Sequence, residues 1–244
     1  MQKRRAEETT YLKGMDRSIE KISFHSKDLP NVYPKNGVQR YAMQEYMCGQ
    51  HLSLFGCAGT GKTFLALYLA LRDVLDKDSE VEQIIIVRSA VPVRDIGFLP
   101  GTEEEKTEVY EQPYRAICDE LFPFKKSYNS LKRLGKIRFI TTSYIRGLTF
   151  NNAVIVVDEC QSLTAHELDS IVTRIGMDSK LIICGDGDQT DLVKSRDRSG
   201  FHQFVKILES INSFSIIGFT EREIVRSGFV RDYIVARNRL GLDI

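Results

Sequence analysis

Residues 56–63 read Gly-Cys-Ala-Gly-Thr-Gly-Lys-Thr, an octapeptide that fits G-x-x-x-x-G-K-[ST] at every fixed position. It stands between an apolar, strand-like run, Leu52–Phe55, and a segment of helical periodicity, Lys62–Leu75, with apolar residues at 64, 65, 67, 68, 71, 74 and 75. Few folds accommodate a strand, a glycine-rich turn and a helix in immediate succession, and that order specifies a unit of a parallel α/β sheet. The turn also has a chemical consequence. Its backbone N–H groups can close on phosphate oxygens, and the helix N-terminus behind it adds a positive dipole end. Lys62 supplies a point charge for the β- and γ-phosphates, and the Thr63 hydroxyl is a ligand for Mg2+. The nucleotide-binding stretch is therefore read as Gly56, Cys57, Ala58, Gly59, Thr60, Gly61, Lys62, Thr63 and Phe64.

Five more short β-branched runs follow the same logic: Ile84–Val87, Ile137–Thr141, Val154–Val157, Leu181–Cys184 and Phe214–Phe219, each bounded by Gly, Asp, Asn or Ser. Helical stretches are predicted at about Val38–Gly49, at Ala165–Ile175 behind Thr164 with Glu167 as a capping partner, and at Gly228–Leu240. This alternation predicts an α/β fold with a parallel sheet covered by helices on both faces. With no repeat and no Gly/Ser linker, the chain reads as one domain over 34–244, preceded by an N-terminal extension over 1–33.

A phosphate cradle needs metal coordination and a base before it can hydrolyse anything. The apolar run Ala153–Val157 delivers Asp158 and Glu159 at its C-terminal end, the edge at which α/β sheets bind ligands. Asp158 is expected to hold Mg2+ through water and Glu159 to polarise the attacking water as general base. After the next run, Gly185-Asp-Gly-Asp-Gln189-Thr-Asp191 places a polar turn at the same edge, and Gln189 is expected to sense the γ-phosphate. No G-x-S-x-G elbow occurs, and the four histidines show no triad or metal spacing, His166 reading as an exposed helix residue.

Composition narrows the class without naming the task. The 34 Lys+Arg balance 33 Asp+Glu at 42% hydrophobic residues, the make-up of an ordinary globular chain. Five scattered cysteines without a C-x-x-C pair point to a reducing cytoplasm and to no structural zinc. No secretory h-region or membrane-spanning stretch is apparent, so no membrane partner is expected. Residues 1–40 and 194–244 are modestly basic, whereas Thr102–Glu120 carries seven acidic residues against two basic ones and has no physical account at this level. Arg88, Arg94, Lys125, Lys126, Lys132, Arg133 and Lys136, with Tyr128 among them, could track a single-stranded backbone with some stacking, or form a plain solvated surface.

With three motifs in order, the chain resembles the PhoH family of phosphate-starvation-associated ATPases, whose core is similar to the first RecA-like domain of superfamily 1 helicases. Gly56–Thr63 matches the family's Walker A. Arg88-Ser-Ala-Val-Pro, Gly97-Phe-Leu-Pro-Gly-Thr102 and Glu105-Lys106 match its distinctive segment, and Arg146-Gly-Leu-Thr-Phe150 leading into Asp158-Glu-Cys-Gln161 its Walker B region. Gly185-Asp186 with Gln189-Thr-Asp-Leu192 matches the third motif, Ile224-Val225-Arg226-Ser227 with Val230 the terminal arginine motif, and Pro34-Lys35 with Gln39 the adenine-contacting segment. The resemblance runs from roughly 30 to 238. Ser89 and Cys160 depart from the family's usual Pro and Ala. A compact stand-alone copy is typical of phage-encoded versions, which would place this chain in a host cytoplasm.

The resemblance implies ATP and Mg2+ as cofactors and a third-motif strand lying between the Walker A and Walker B strands. Lys62, Thr63, Asp158, Glu159 and Gln189 then converge on one γ-phosphate. It implies a homo-oligomeric, hexameric ring in which Arg226 or Arg222 reaches a neighbour's site, and coupling of ATP hydrolysis to single-stranded RNA or DNA. Phe98-Leu99, in a Gly- and Pro-rich loop after a strand end, either pack on a neighbour, line a channel or pack in the core. The alternatives are a GTPase, which lacks N-K-x-D here, a small-molecule kinase, and a nucleotide-gated assembly module with little turnover.

Overall fold

The computed structural model describes residues 23–89, 103–123, 125–186 and 195–240. In chain order the elements are α1 (Gly37–Met47), β1 (His51–Gly56), α2 (Lys62–Leu75), β2 (Gln83–Arg88), α3 (Glu103–Leu121), α4 (Ser127–Arg133), β3 (Ile137–Thr141), β4 (Ala153–Val157), α5 (Ala165–Val172), β5 (Lys180–Gly185), α6 (Ser195–Glu209), β6 (Phe214–Phe219) and α7 (Gly228–Leu240). The strands form one sheet in the order β3-β2-β4-β5-β1-β6, and every pair is parallel. β5 thus separates β1 from β4, as the family resemblance implies.

The continuous apolar runs are explained by burial on both faces. Ile84, Ile86, Val154, Val156, Ile182 and Cys184 join the core beneath α1–α4, while their neighbours Ile85, Val87, Ile155, Val157, Leu181 and Ile183 join the core beneath α5 and α6. A strand with period-two side chains must be apolar at every position when each face meets a helical layer. At about 25 cal/mol per Å2 of apolar area, each fully buried Ile or Leu contributes on the order of 1.5–3 kcal/mol. α2 lies deepest, with Leu65 through Leu71 all buried.

All six expected strands form, and α2 and α7 have the expected bounds. α5 stops at Val172, three residues before the expected end, and α1 spans Gly37–Met47 where Val38–Gly49 was expected. Asn36 caps α1 by accepting from the Gln39 N–H at 2.8 Å, and Thr164 with Glu167 forms the reciprocal cap on α5. The acidic stretch, unexplained from sequence, falls on helix α3 from Glu103 onward, carried through Pro113. Its Glu111 is buried and holds Lys132 at 2.6 Å and Arg115 at 3.2 Å, tying α3 to α4. The same packing corrects one expectation. Tyr128 is buried at 1% exposure, so it offers no stacking surface, and Lys132 is engaged with Glu111. Among the described residues no helix is long and apolar enough to cross a membrane.

Candidate functional site

The site lies at the C-terminal edge of the sheet, where β1, β4 and β5 end side by side. Gly56 closes β1 at φ +114°, and the loop passes Gly59 at +76° and Gly61 at +84° before α2 begins. Such angles belong to glycine, and they turn the backbone tightly enough for its amides to face one point. α2 starts without a side-chain cap, so its first N–H groups keep their capacity for an anion. Lys62 folds back along the loop, its Nζ donating to the Gly56 carbonyl at 2.5 Å and the Cys57 carbonyl at 2.8 Å. Both acceptors are main-chain carbonyls of the phosphate loop itself.

Thr63, on the first turn of α2, donates its hydroxyl to Asp158 Oδ1 at 2.8 Å across 95 residues of sequence. Asp158 is nearly fully buried, and its other oxygen accepts from the Tyr114 hydroxyl at 2.9 Å. Burial pushes the Asp158 carboxyl above the usual carboxylate range, as does the charge of adjacent Glu159, against the opposing hydrogen bonds of Thr63 and Tyr114 and the nearby Arg88. A hydroxyl and a carboxylate within hydrogen-bond reach of each other, beside a phosphate loop, form the hard-oxygen donor pair that suits Mg2+. The residues therefore fit that ion, with Thr63 and Asp158 as those that would hold it.

Glu159 occupies a left-handed conformation at φ +53°. Its carboxylate accepts from Gln161 Nε2 at 2.5 Å, and Gln161 Oε1 accepts from the Asp186 N–H at 3.0 Å. One side chain thus joins the ends of β4 and β5. Gln39 bridges in a similar way. Its Oε1 accepts from the Lys35 N–H at 2.8 Å and its Nε2 donates to the Thr60 carbonyl at 2.9 Å, so it fastens the segment before α1 to the phosphate loop.

The chain after β6 covers the loop from the other side. Val225 N–H donates to the Gly59 carbonyl at 3.0 Å, Ile224 and Ile234 pack on Cys57, and Asn238 reaches the Cys57 sulfur at 3.5 Å. Arg226 is exposed, with its aliphatic stem against Gly59 of its own chain. The structure thus brings together Gln39, the loop 56–63, Asp158, Glu159 and Arg226. Gln189, with Arg94, Phe98 and Leu99, lies outside the described residues. Tyr114 is the site residue that sequence patterns do not reveal; nothing in its surroundings within the acidic stretch marks it, because its partner is 44 positions away. Gln161 belongs to the Walker B segment, but its bridging role appears only in three dimensions.

A strand feeding a glycine loop and helix, with a carboxylate from a strand two places away in the sheet at the threonine of that loop, defines a nucleotide-binding protein of the P-loop NTPase class. The family model described as PhoH-like protein matches residues 31–237, and the chain belongs to that family. A PhoH-like protein of Mycobacterium tuberculosis is 39% identical over 186 residues, covering 75% of this chain and 51% of the relative. One from Synechocystis is 36% identical, covering 75% and 55%, and protein PhoH of Escherichia coli is 31% identical over 204 residues, covering 83% and 57%. The chain therefore spans about half the length of these relatives. Among solved structures, Pif1 helicase from Candida albicans aligns at 17% identity and TM-score 0.38, over 78% of this chain and 41% of that one. The Pyrococcus furiosus Hef helicase domain aligns at 13% identity and TM-score 0.43, over 80% and 39%.

Proposed function

We propose that the protein is a Mg2+-dependent ATPase that couples hydrolysis to the binding or remodelling of single-stranded RNA or DNA. The observation that carries the nucleotide half of this reading is the 2.8 Å contact between Thr63 of the phosphate loop and buried Asp158, with Glu159 as the next residue. In this reading Lys62 and the loop amides hold the phosphates, and Thr63 and Asp158 hold Mg2+, which supplies charge neutralisation on the phosphate oxygens. Glu159 takes the proton of the attacking water, its release from Gln161 being part of activation, and Gln189 senses the γ-phosphate. Phosphoryl transfer to water rests on positioning and charge, for which an added arginine is worth about 10³–10⁵ in rate. Arg226 or Arg222 fills that role across a homo-oligomeric ring. The polymer half of the reading is carried by the family resemblance, and the soluble setting that suits it is a cytoplasm.

The test is steady-state ATP hydrolysis with and without single-stranded RNA and DNA, beside Glu159→Gln. Turnover that rises with a polymer and collapses in the variant is the expected result. A wild type that binds ATP yet matches the variant's rate under every condition overturns hydrolysis and leaves a nucleotide-gated module, and a fully active monomer on sizing with ATP removes the ring.

A further inference from the structure

Helix α3 lies outside the strand–loop–helix units that build the phosphate site, yet it sends one polar group into it. Tyr114 is 1% exposed, and its ring packs near Phe139 of β3 with centroids 6.0 Å apart. Its hydroxyl ends 2.9 Å from Asp158 Oδ2. Since Thr63 occupies Oδ1, the two oxygens of the carboxylate are each met by one hydroxyl donor, and its plane is set by two elements at once. A phenol donates its O–H to a carboxylate oxygen, which can only accept. Arg88, at the end of β2 with its guanidinium 5.8 Å from the Tyr110 ring, adds a cation to the same corner.

We infer that Tyr114 is a positioning residue for the metal: it fixes Asp158 in the orientation in which this carboxylate, with Thr63, accepts Mg2+-nucleotide. The inference rests on the nucleotide reading given above and deepens it. A metal-holding carboxylate is oriented by the hydrogen bonds its oxygens accept, and losing such an outer partner typically weakens metal affinity about 10–100-fold. A hydroxyl that merely filled core space would move no metal dependence, because Tyr114→Phe keeps the ring, its volume and its packing on Phe139. The position also gives α3 a function, since a shift of that helix would reach Asp158 through a single hydrogen bond.

The experiment titrates the full-length chain with a fluorescent ATP analogue in EDTA and across a Mg2+ series, for wild type, Tyr114→Phe and Phe139→Leu. In wild type, Mg2+ tightens analogue binding at a measurable half-saturating concentration. Tyr114→Phe is expected to raise that concentration roughly 10–100-fold while leaving the EDTA affinity, which reports Lys62 and the loop amides, unchanged. Phe139→Leu, which loosens the ring's packing but keeps the hydroxyl, should lower the melting temperature without moving the Mg2+ dependence. Equal half-saturation in wild type and Tyr114→Phe overturns the role of Tyr114 alone, as does an identical shift in Phe139→Leu. A wild type with no analogue binding at any Mg2+ concentration overturns the nucleotide reading and this inference with it.

Discussion

Replacing Gly56 by alanine tests how the phosphate loop is anchored to the sheet. At φ +114° an L-residue is strained by about 1–3 kcal/mol. The added Cβ would sit 2.0 Å from the Phe219 carbonyl oxygen, against 3.4 Å for an ordinary contact, so β1 and β6 must part by more than an ångström at this point. That carbonyl accepts the Cys57 N–H at 2.9 Å, a bond worth roughly 1 kcal/mol that the displacement breaks, and overpacking of this kind adds about 1–3 kcal/mol. The sum is about 3–7 kcal/mol, a large part of the roughly 5–15 kcal/mol that holds a domain folded. With an m-value near 2–3 kcal/mol/M, the urea midpoint should fall by about 1–3.5 M. Gly218 provides the internal control. It lies opposite Phe55 on the adjacent strand, and nothing stands within 4 Å of a Cβ built there, so Gly218→Ala should shift the midpoint by no more than a few tenths molar. Equal midpoints for the two variants, or an unchanged Gly56→Ala, would refute the reasoning.

Two further perturbations probe buried charge. Glu111→Ala removes the fully buried carboxylate that Lys132 and Arg115 share, and since both cations retain a route to solvent the loss should be about 2–3 kcal/mol by thermal melting; a loss below about 1 kcal/mol would mean the pair adds nothing beyond its packing. Asp158 runs the other way. Its folded pKa is raised above the unfolded value, so its contribution to stability is fully present below the unfolded pKa and is lost as pH rises through the folded one. Asp158→Asn should therefore leave the nucleotide-free protein more stable than wild type at pH 7 and lose that advantage toward pH 4, while abolishing Mg2+-dependent nucleotide binding; a variant less stable than wild type at pH 7 contradicts the burial account.

The strands and the phosphate loop are legible in sequence because their causes are local. Apolar runs of four to six residues ending in Gly or Asp, and a glycine octapeptide opening an apolar helix, carry the information within a few positions. Helices α3, α4 and α6 are not legible in the same way. The charged first half of α3 and its internal Pro113 hide the apolar face, and that face becomes visible only once Tyr114, Cys118 and Leu121 are seen under the sheet. Tyr128 misleads for a related reason. A tyrosine between lysines looks like a surface residue, and only the fold shows the lysines reaching outward while the ring points in. Asp158 is recognisable from its strand, yet its two hydroxyl partners come from 44 and 95 positions away, distances over which periodicity and spacing say nothing.

These long-range contacts share one property. Gln39 ties α1's approach to Thr60, Val225 ties the chain after β6 to Gly59, and Gln161 ties β4's end to β5's. Tyr114 ties α3 to Asp158. Each is a hydrogen bond between a group at or beside the phosphate loop and another element of the fold, and each is worth about 1 kcal/mol. None alone holds the fold, whose two cores are buried on both sides of the strands.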